Sequence, residues 1–100
     1  MGELNRLRDE VHRIAVEHGF WSDREKAGVY GDVTALALMV CEVAEAIEAL
    51  RKGEDETEEV VDVIIRALDY LGRKGVDVER ALRRKVERNK RRPWKHGKRF

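Results

Sequence analysis

The sequence predicts an all-α fold, four helices bundled into a single domain of 100 residues. Three observations carry that expectation. Apolar residues recur at three- and four-residue spacing in four separate stretches, the period of a helix that buries one face. Glycine or a small capping residue separates successive stretches, and the connections are short, as in an all-α bundle. Charged residues make up 41% and apolar residues 42% of the chain, the balance of a folded, highly charged helical protein rather than a disordered one.

Leu4, Leu7, Val11, Ile14 and Ala15 give an amphipathic helix over roughly residues 2–18, with Gly19 as its stop. Residues 19–31, rich in glycine and aromatics, read as an irregular connection. The next helix is expected to start with Asp32 or Thr34 as cap, to run to about Lys52 and to end at Gly53. From Ala35 to Cys41 it is apolar all round, as a central helix is. Asp55 caps a third helix whose acidic first turn (Glu56, Glu58, Glu59) suits the helix dipole, and which reaches about Arg73 and stops near Gly75. Its β-branched VVDVII run resembles a strand, but the flanking acids and the Ala-Leu continuation favour helix. Asp77 caps the last helix, roughly 78–90, with Val78, Ala81, Leu82 and Val86 on one face. Pro93 forces an end and leaves residues 91–100 as a basic tail.

One cysteine, Cys41, excludes an intramolecular disulfide framework and, within its apolar run, reads as a small core residue. No signal-peptide pattern opens the chain and no apolar stretch approaches ~20 residues, so the expected protein is cytoplasmic with no membrane partner. Net charge is +1, but unevenly placed. Residues 41–62 carry nine acids against Arg51 and Lys52, whereas residues 80–100 carry eleven Lys or Arg against Glu87 alone. Such a division fits either a nucleic-acid tail or a metal-holding centre beside groups that hold phosphate.

Four carboxylates bear on that choice. Glu42 and Glu45, then Glu59 and Asp62, are two pairs at three-residue spacing, so each pair shares one helix face. Asp62 is enclosed by Val60, Val61, Val63 and Ile64, and Glu42 and Glu45 follow an apolar run. Burying unpaired carboxylates is expensive unless a cation compensates them. Two adjacent helices would aim all four at one point, and an oxygen-only set with no neighbouring His or Cys ligand suits Mg²⁺ or Mn²⁺ rather than zinc. The plain alternative is a solvated acidic face in which Asp62 pairs with Arg66 and Glu48 with Lys52 at i, i+4.

Glu42 and Glu45, thirteen residues, then Glu59 and Asp62 resembles the ExxE–ExxD signature of MazG-like nucleoside triphosphate pyrophosphohydrolases. The stretch IIRALDYLGRKGVDVERALRRKVERNKRRPWKHGKRF is similar to a small subgroup of that family, so the resemblance covers about residues 36–100. It implies an all-α bundle of the MazG fold, assembled as a homodimer or homotetramer, that cleaves the α–β bond of a nucleoside triphosphate to the monophosphate and pyrophosphate. Glu42, Glu45, Glu59 and Asp62 would then be the catalytic residues that coordinate Mg²⁺. Lys85 and Asn89, four apart on one helix face, and Arg92 would hold substrate phosphates, with His96 and Lys98 as candidate tail contacts. Trp21, among Phe20, Trp21 and Tyr30, is the candidate for stacking on the base, with packing as its alternative role. His12 and His18 read as exposed or capping residues. A lone four-helix unit gives such a site little wall, which is a second reason to expect an oligomer. Two rivals remain, a nucleic-acid-binding module using residues 80–99 and a catalytically silent MazG-like subunit. The first leaves the inward carboxylates unexplained, which weighs against nucleic acid as the partner.

Overall fold

A computed structural model describes residues 2–100. It consists of five α-helices and a terminal 3₁₀ turn: α1 (Glu3–Glu17), α2 (Ser22–Lys26), α3 (Val29–Arg51), α4 (Thr57–Arg73), α5 (Val78–Lys90) and the turn Trp94–Gly97, with no strand among the described residues. The VVDVII run is helical, as its flanks favoured. Gly19, Gly53 and Gly75 each follow a helix with positive φ. The His18 ring closes the end of α1, its Nδ1 lying 2.9 Å from the Ile14 carbonyl. Asp55 accepts hydrogen bonds from the Thr57 amide (2.9 Å) and hydroxyl (2.7 Å) and so caps α4. Asp77 accepts from the Arg80 amide at 3.1 Å at the start of α5.

The expected irregular connection over 19–31 is corrected. It folds into α2, and α3 begins at Val29 rather than after Asp32 or Thr34. Two glycines make the junction. Gly28 takes φ 60°, ψ −128°, which reverses the chain between the helices. Gly31 lies directly against the Arg24 carbonyl, so only a residue without a Cβ lets α2 sit there. Asp32 is therefore no cap; it stands in the first turn of α3 and pairs with Lys74 at 2.6 Å.

The central element is α4, with α3 on one side and α1 on the other, while α2 packs on α3. The short α3–α4 connection makes an antiparallel hairpin. The four predicted helices are present, but they do not close into one bundle within the chain. The last helix, α5, packs against the beginning of α1 and makes no comparable contact with α3 or α4. Asn5 fixes that crossing. Its side chain donates to Asp77 (3.0 Å) and accepts from the Val78 amide (2.8 Å), and its own amide donates to Glu79 (3.1 Å).

The outline is open. The radius of gyration is 15.8 Å, against about 13 Å for a compact domain of this length. The buried apolar residues are Trp21, Ala35, Ala46, Leu68 and Val78, and no large side chain among the described residues is fully enclosed. On α3, Val29, Val33, Leu36, Val40, Val43, Ile47 and Leu50 are all exposed. Their alternating four- and three-residue spacing is the 3.5-residue repeat of a helix seam that packs against another helix. Cys41 is exposed as well, which corrects its expected place in a core.

Candidate metal centre

The α3–α4 hairpin brings the two carboxylate pairs face to face. Glu42, Glu45 and Glu59 each offer an oxygen within 4.8 Å of the others. Glu42 is buried, Glu59 half-buried and Glu45 on the open side. Asp62, one turn along α4 from Glu59, lines the same cavity as Glu42. The Glu45 carboxyl is held above its usual pKa, first by a hydrogen bond with Glu42, then by the charge of Glu42, with smaller contributions from desolvation and from Glu59 and Asp62. These acids therefore repel one another where they stand. A divalent cation among them would remove that repulsion, and the donor set of carboxylate oxygens alone fits Mg²⁺ or Mn²⁺.

Arg66 meets part of this charge. Its Nε donates to Glu42 Oε1 at 2.8 Å, joining α4 to α3. The alternative in which Asp62 pairs with Arg66 does not form: the guanidinium serves the more deeply buried carboxylate, and Asp62 lines the cavity. Glu48 likewise pairs with Arg51 at 3.5 Å rather than with Lys52. The i, i+4 rule finds neighbours along one helix but does not rank them against a buried partner on another.

A cavity of about 250 Å³ opens beside the acids, walled by Val11, Ile14, Ala15, Phe20 and Ile65 and edged by Glu42, Asp62, Arg66 and Asp69. On the other side a shallow polar groove runs past Glu45, Glu48, Lys52, Asp55 and Glu59. The acids thus lie between an apolar hollow and an open polar surface.

Behind the hollow lies a polar cluster that sequence reasoning missed. Asp69 is buried and accepts from the Trp21 indole at 2.9 Å, and His12 Nδ1 lies 2.8 Å from the same carboxylate. His12 is therefore half-buried and paired, not exposed or capping. Trp21 is corrected too. It is 3% exposed, and the guanidinium groups of Arg24 and Arg73 stand 5.1 and 5.4 Å from its ring centre. Its packing role holds in the single chain, which leaves no free ring face for a base. Phe20, half exposed, is the aromatic residue that lines the cavity. The i+4 spacing from Asp62 marked Arg66 as a charge partner of the acids; nothing local marked Asp69.

Lys85 and Asn89 share α5, and Arg92 follows it, but the chain does not bring these residues to the acids. The cavities beside the carboxylates contain no residue of α5 or the tail. The α5 crossing lies at Asn5, and the cavity is lined on α1 from Val11 past Ile14, about 9 to 13 Å further along the helix at 1.5 Å per residue. His96 and Lys98 are exposed in the tail. Comparison with protein-family models, with curated proteins and with solved structures found no match to this chain.

Proposed function

We propose that this protein is a Mg²⁺-dependent nucleotide pyrophosphohydrolase of the MazG-like type. It would split the α–β phosphoanhydride of (d)NTPs to (d)NMP and pyrophosphate in a housecleaning role in the cytoplasm. The observation that carries the reading is the convergence of Glu42, Glu45 and Glu59 within 4.8 Å of one another, beside an apolar cavity edged by Asp62. Glu42, Glu45, Glu59 and Asp62 would hold the ion. When bound, Mg²⁺ neutralises phosphate oxygens and acidifies water. Glu45 stands on the open side of the cluster, and any of the four carboxylates with an oxygen not committed to the ion would be able to receive the proton of the attacking water. Arg66 orients Glu42. The apolar hollow, about 250 Å³, is below the 300–1,000 Å³ of typical ligand pockets, so it suits the base of a nucleotide whose phosphates remain outside. Phe20 offers that base a ring.

The exposed repeat on α3 supports a homodimer, or a tetramer built from it, because a second copy would cover a seam that water otherwise faces. A specific observation also favours a second reading. The basic segment after α4 carries Trp94 and Phe100 fully in solvent, and aromatic rings among basic residues bind single-stranded nucleic acid. A panel of NTPs and dNTPs assayed with and without Mg²⁺ for monophosphate and pyrophosphate separates the two. Turnover with Mg²⁺ that Asp62→Asn abolishes in a folded protein is the expected result. No turnover on any nucleotide, with salt-sensitive binding of DNA or RNA, would replace the enzyme by the binding module. No turnover and no binding would leave a silent MazG-like subunit.

A further inference from the structure

We infer that the outer face of α5, continued by the tail, is a second binding site, which takes single-stranded nucleic acid on a row of arginines and two exposed rings. The site is separate from the acids on α3 and α4, whose cavities contain no residue of α5, and it needs no nucleotide turnover. Arg80, Arg84, Arg88 and Arg91 follow one another at four-, four- and three-residue spacing, so they run along one side of the helix to its end. A surface hollow joins three of them, lined by Ala81, Arg83, Arg84, Glu87, Arg88 and Arg91.

These guanidinium groups have no acid to answer them. Of the ten Lys and Arg before α5, six form an ion pair. Of the eleven from Arg80 onward, Arg83 and Lys90 alone do so among the described residues, and both share Glu87, at 3.6 and 3.1 Å. Like charges four residues apart oppose a helix. The helix dipole offsets that for Arg88, in the last turn of α5, but it opposes Arg80 in the first turn and gives Arg84 little. A row that works against its own helix is accounted for by an anionic partner outside the chain.

Nucleic acid fits this face better than a second copy or a membrane. At 3.6 residues per turn, Leu82 and Val86 fall about 160° from Arg84, and the apolar side they share with buried Val78 is turned towards α1. A second copy would cover that apolar side and leave the arginines in water. By the same spacing the one apolar residue among the arginines is Ala81, whereas protein interfaces have an apolar centre and membrane-surface helices an apolar face to insert. Guanidinium groups match phosphate as a planar fork. The rings follow directly: Trp94, three residues after Arg91, and Phe100 stand fully in solvent among Arg92, Lys95, Lys98 and Arg99. Rings beside a basic track stack on unpaired bases, which a duplex keeps inside.

Fluorescence anisotropy in EDTA tests this, with labelled RNA and DNA single strands of about 20 nucleotides and the same sequence as a duplex. Salt-sensitive binding of the single strands, tighter than of the duplex, is expected. The variant Arg84→Gln/Arg88→Gln/Arg91→Gln removes three phosphate contacts and should lower the slope of log affinity against log salt by about 2. Trp94→Ala should weaken binding by about 5- to 150-fold with the slope unchanged. No binding at about 50 mM salt would overturn the inference. So would wild-type affinity and slope in the arginine variant, unchanged binding in Trp94→Ala, or tighter binding of the duplex, of polyglutamate or of phosphatidylserine vesicles. Should the arginine variant fail to fold by circular dichroism, Trp94→Ala and the duplex comparison decide. With no Mg²⁺ present, failure of the nucleotide assay leaves this result untouched.

Discussion

Arg66→Met tests the candidate metal centre through stability. The Arg66–Glu42 pair is 2.8 Å long, with side chains 30% and 10% exposed. Removing one partner of a fully buried pair loses about 3–5 kcal/mol and of an exposed pair about 0–1. A pair whose acid is buried and whose base is one-third in water belongs between them, at about 2 kcal/mol. Methionine keeps most of the apolar stem, so the loss reports the charge. For a chain of this length that lowers the melting temperature by about 8–16 °C in EDTA. If the acids hold Mg²⁺ as proposed, the ion would meet Glu42 instead at saturation, and the loss should shrink to about 1 kcal/mol. By linkage the same variant then binds Mg²⁺ about fivefold more tightly. The assay is thermal or urea unfolding in EDTA and in Mg²⁺, with calorimetric titration of the ion. Equal losses in both buffers and unchanged Mg²⁺ affinity would refute the claim that Arg66 and the metal compete for Glu42.

Three further outcomes are expected. Gly31→Ala puts a methyl group onto the Arg24 carbonyl and should lose about 1–3 kcal/mol by overpacking in spite of alanine's better helix propensity; an unchanged or higher melting temperature would contradict the α2–α3 contact. Val40→Glu places a charge in the middle of the α3 repeat and should convert the proposed oligomer to a monomer in sedimentation, with the proposed turnover lost. Acid should destabilise the fold through Asp77, whose carboxyl is held below 3.8 by the Asn5 side chain and then by the Arg80 amide, and through Asp55, held below 3.8 by Thr57. Groups with depressed folded pKa values stabilise fully above the unfolded value, and that contribution disappears as pH falls through the lower folded one. Urea unfolding should therefore show stability declining below about pH 4, and less steeply in Asp77→Asn.

Most of the helical organisation could be read from the chain, because it is written in local signals. Spacing placed α1, α4 and α5, glycine marked the ends of α1 and α4 and Pro93 the limit of α5, and Asp55 and Asp77 make the hydrogen bonds expected of them. The α2 segment was not legible, since five residues are too few for periodicity and its place depends on Gly31 touching Arg24, a contact between elements. The approach of Glu42, Glu45 and Glu59 follows from two patterns of spacing on adjacent helices, so the sequence was enough. The Arg66–Glu42 pair, the His12–Asp69–Trp21 cluster and the exposure of Cys41 were not, because each depends on which side of a helix meets a neighbour. Cys41 shows why: an apolar run says that a helix is covered all round, but not whether its own chain covers it.

The absence of any fully enclosed large side chain among the described residues reaches beyond the candidate site. If the uncovered α3 repeat is finished only by a second copy, folding and assembly are one equilibrium, and the amount of protein becomes a variable of its stability. Each tenfold dilution would then subtract about 1.4 kcal/mol from the dimer. Activity per molecule would fall away below a threshold abundance, so that expression level itself sets when the protein works.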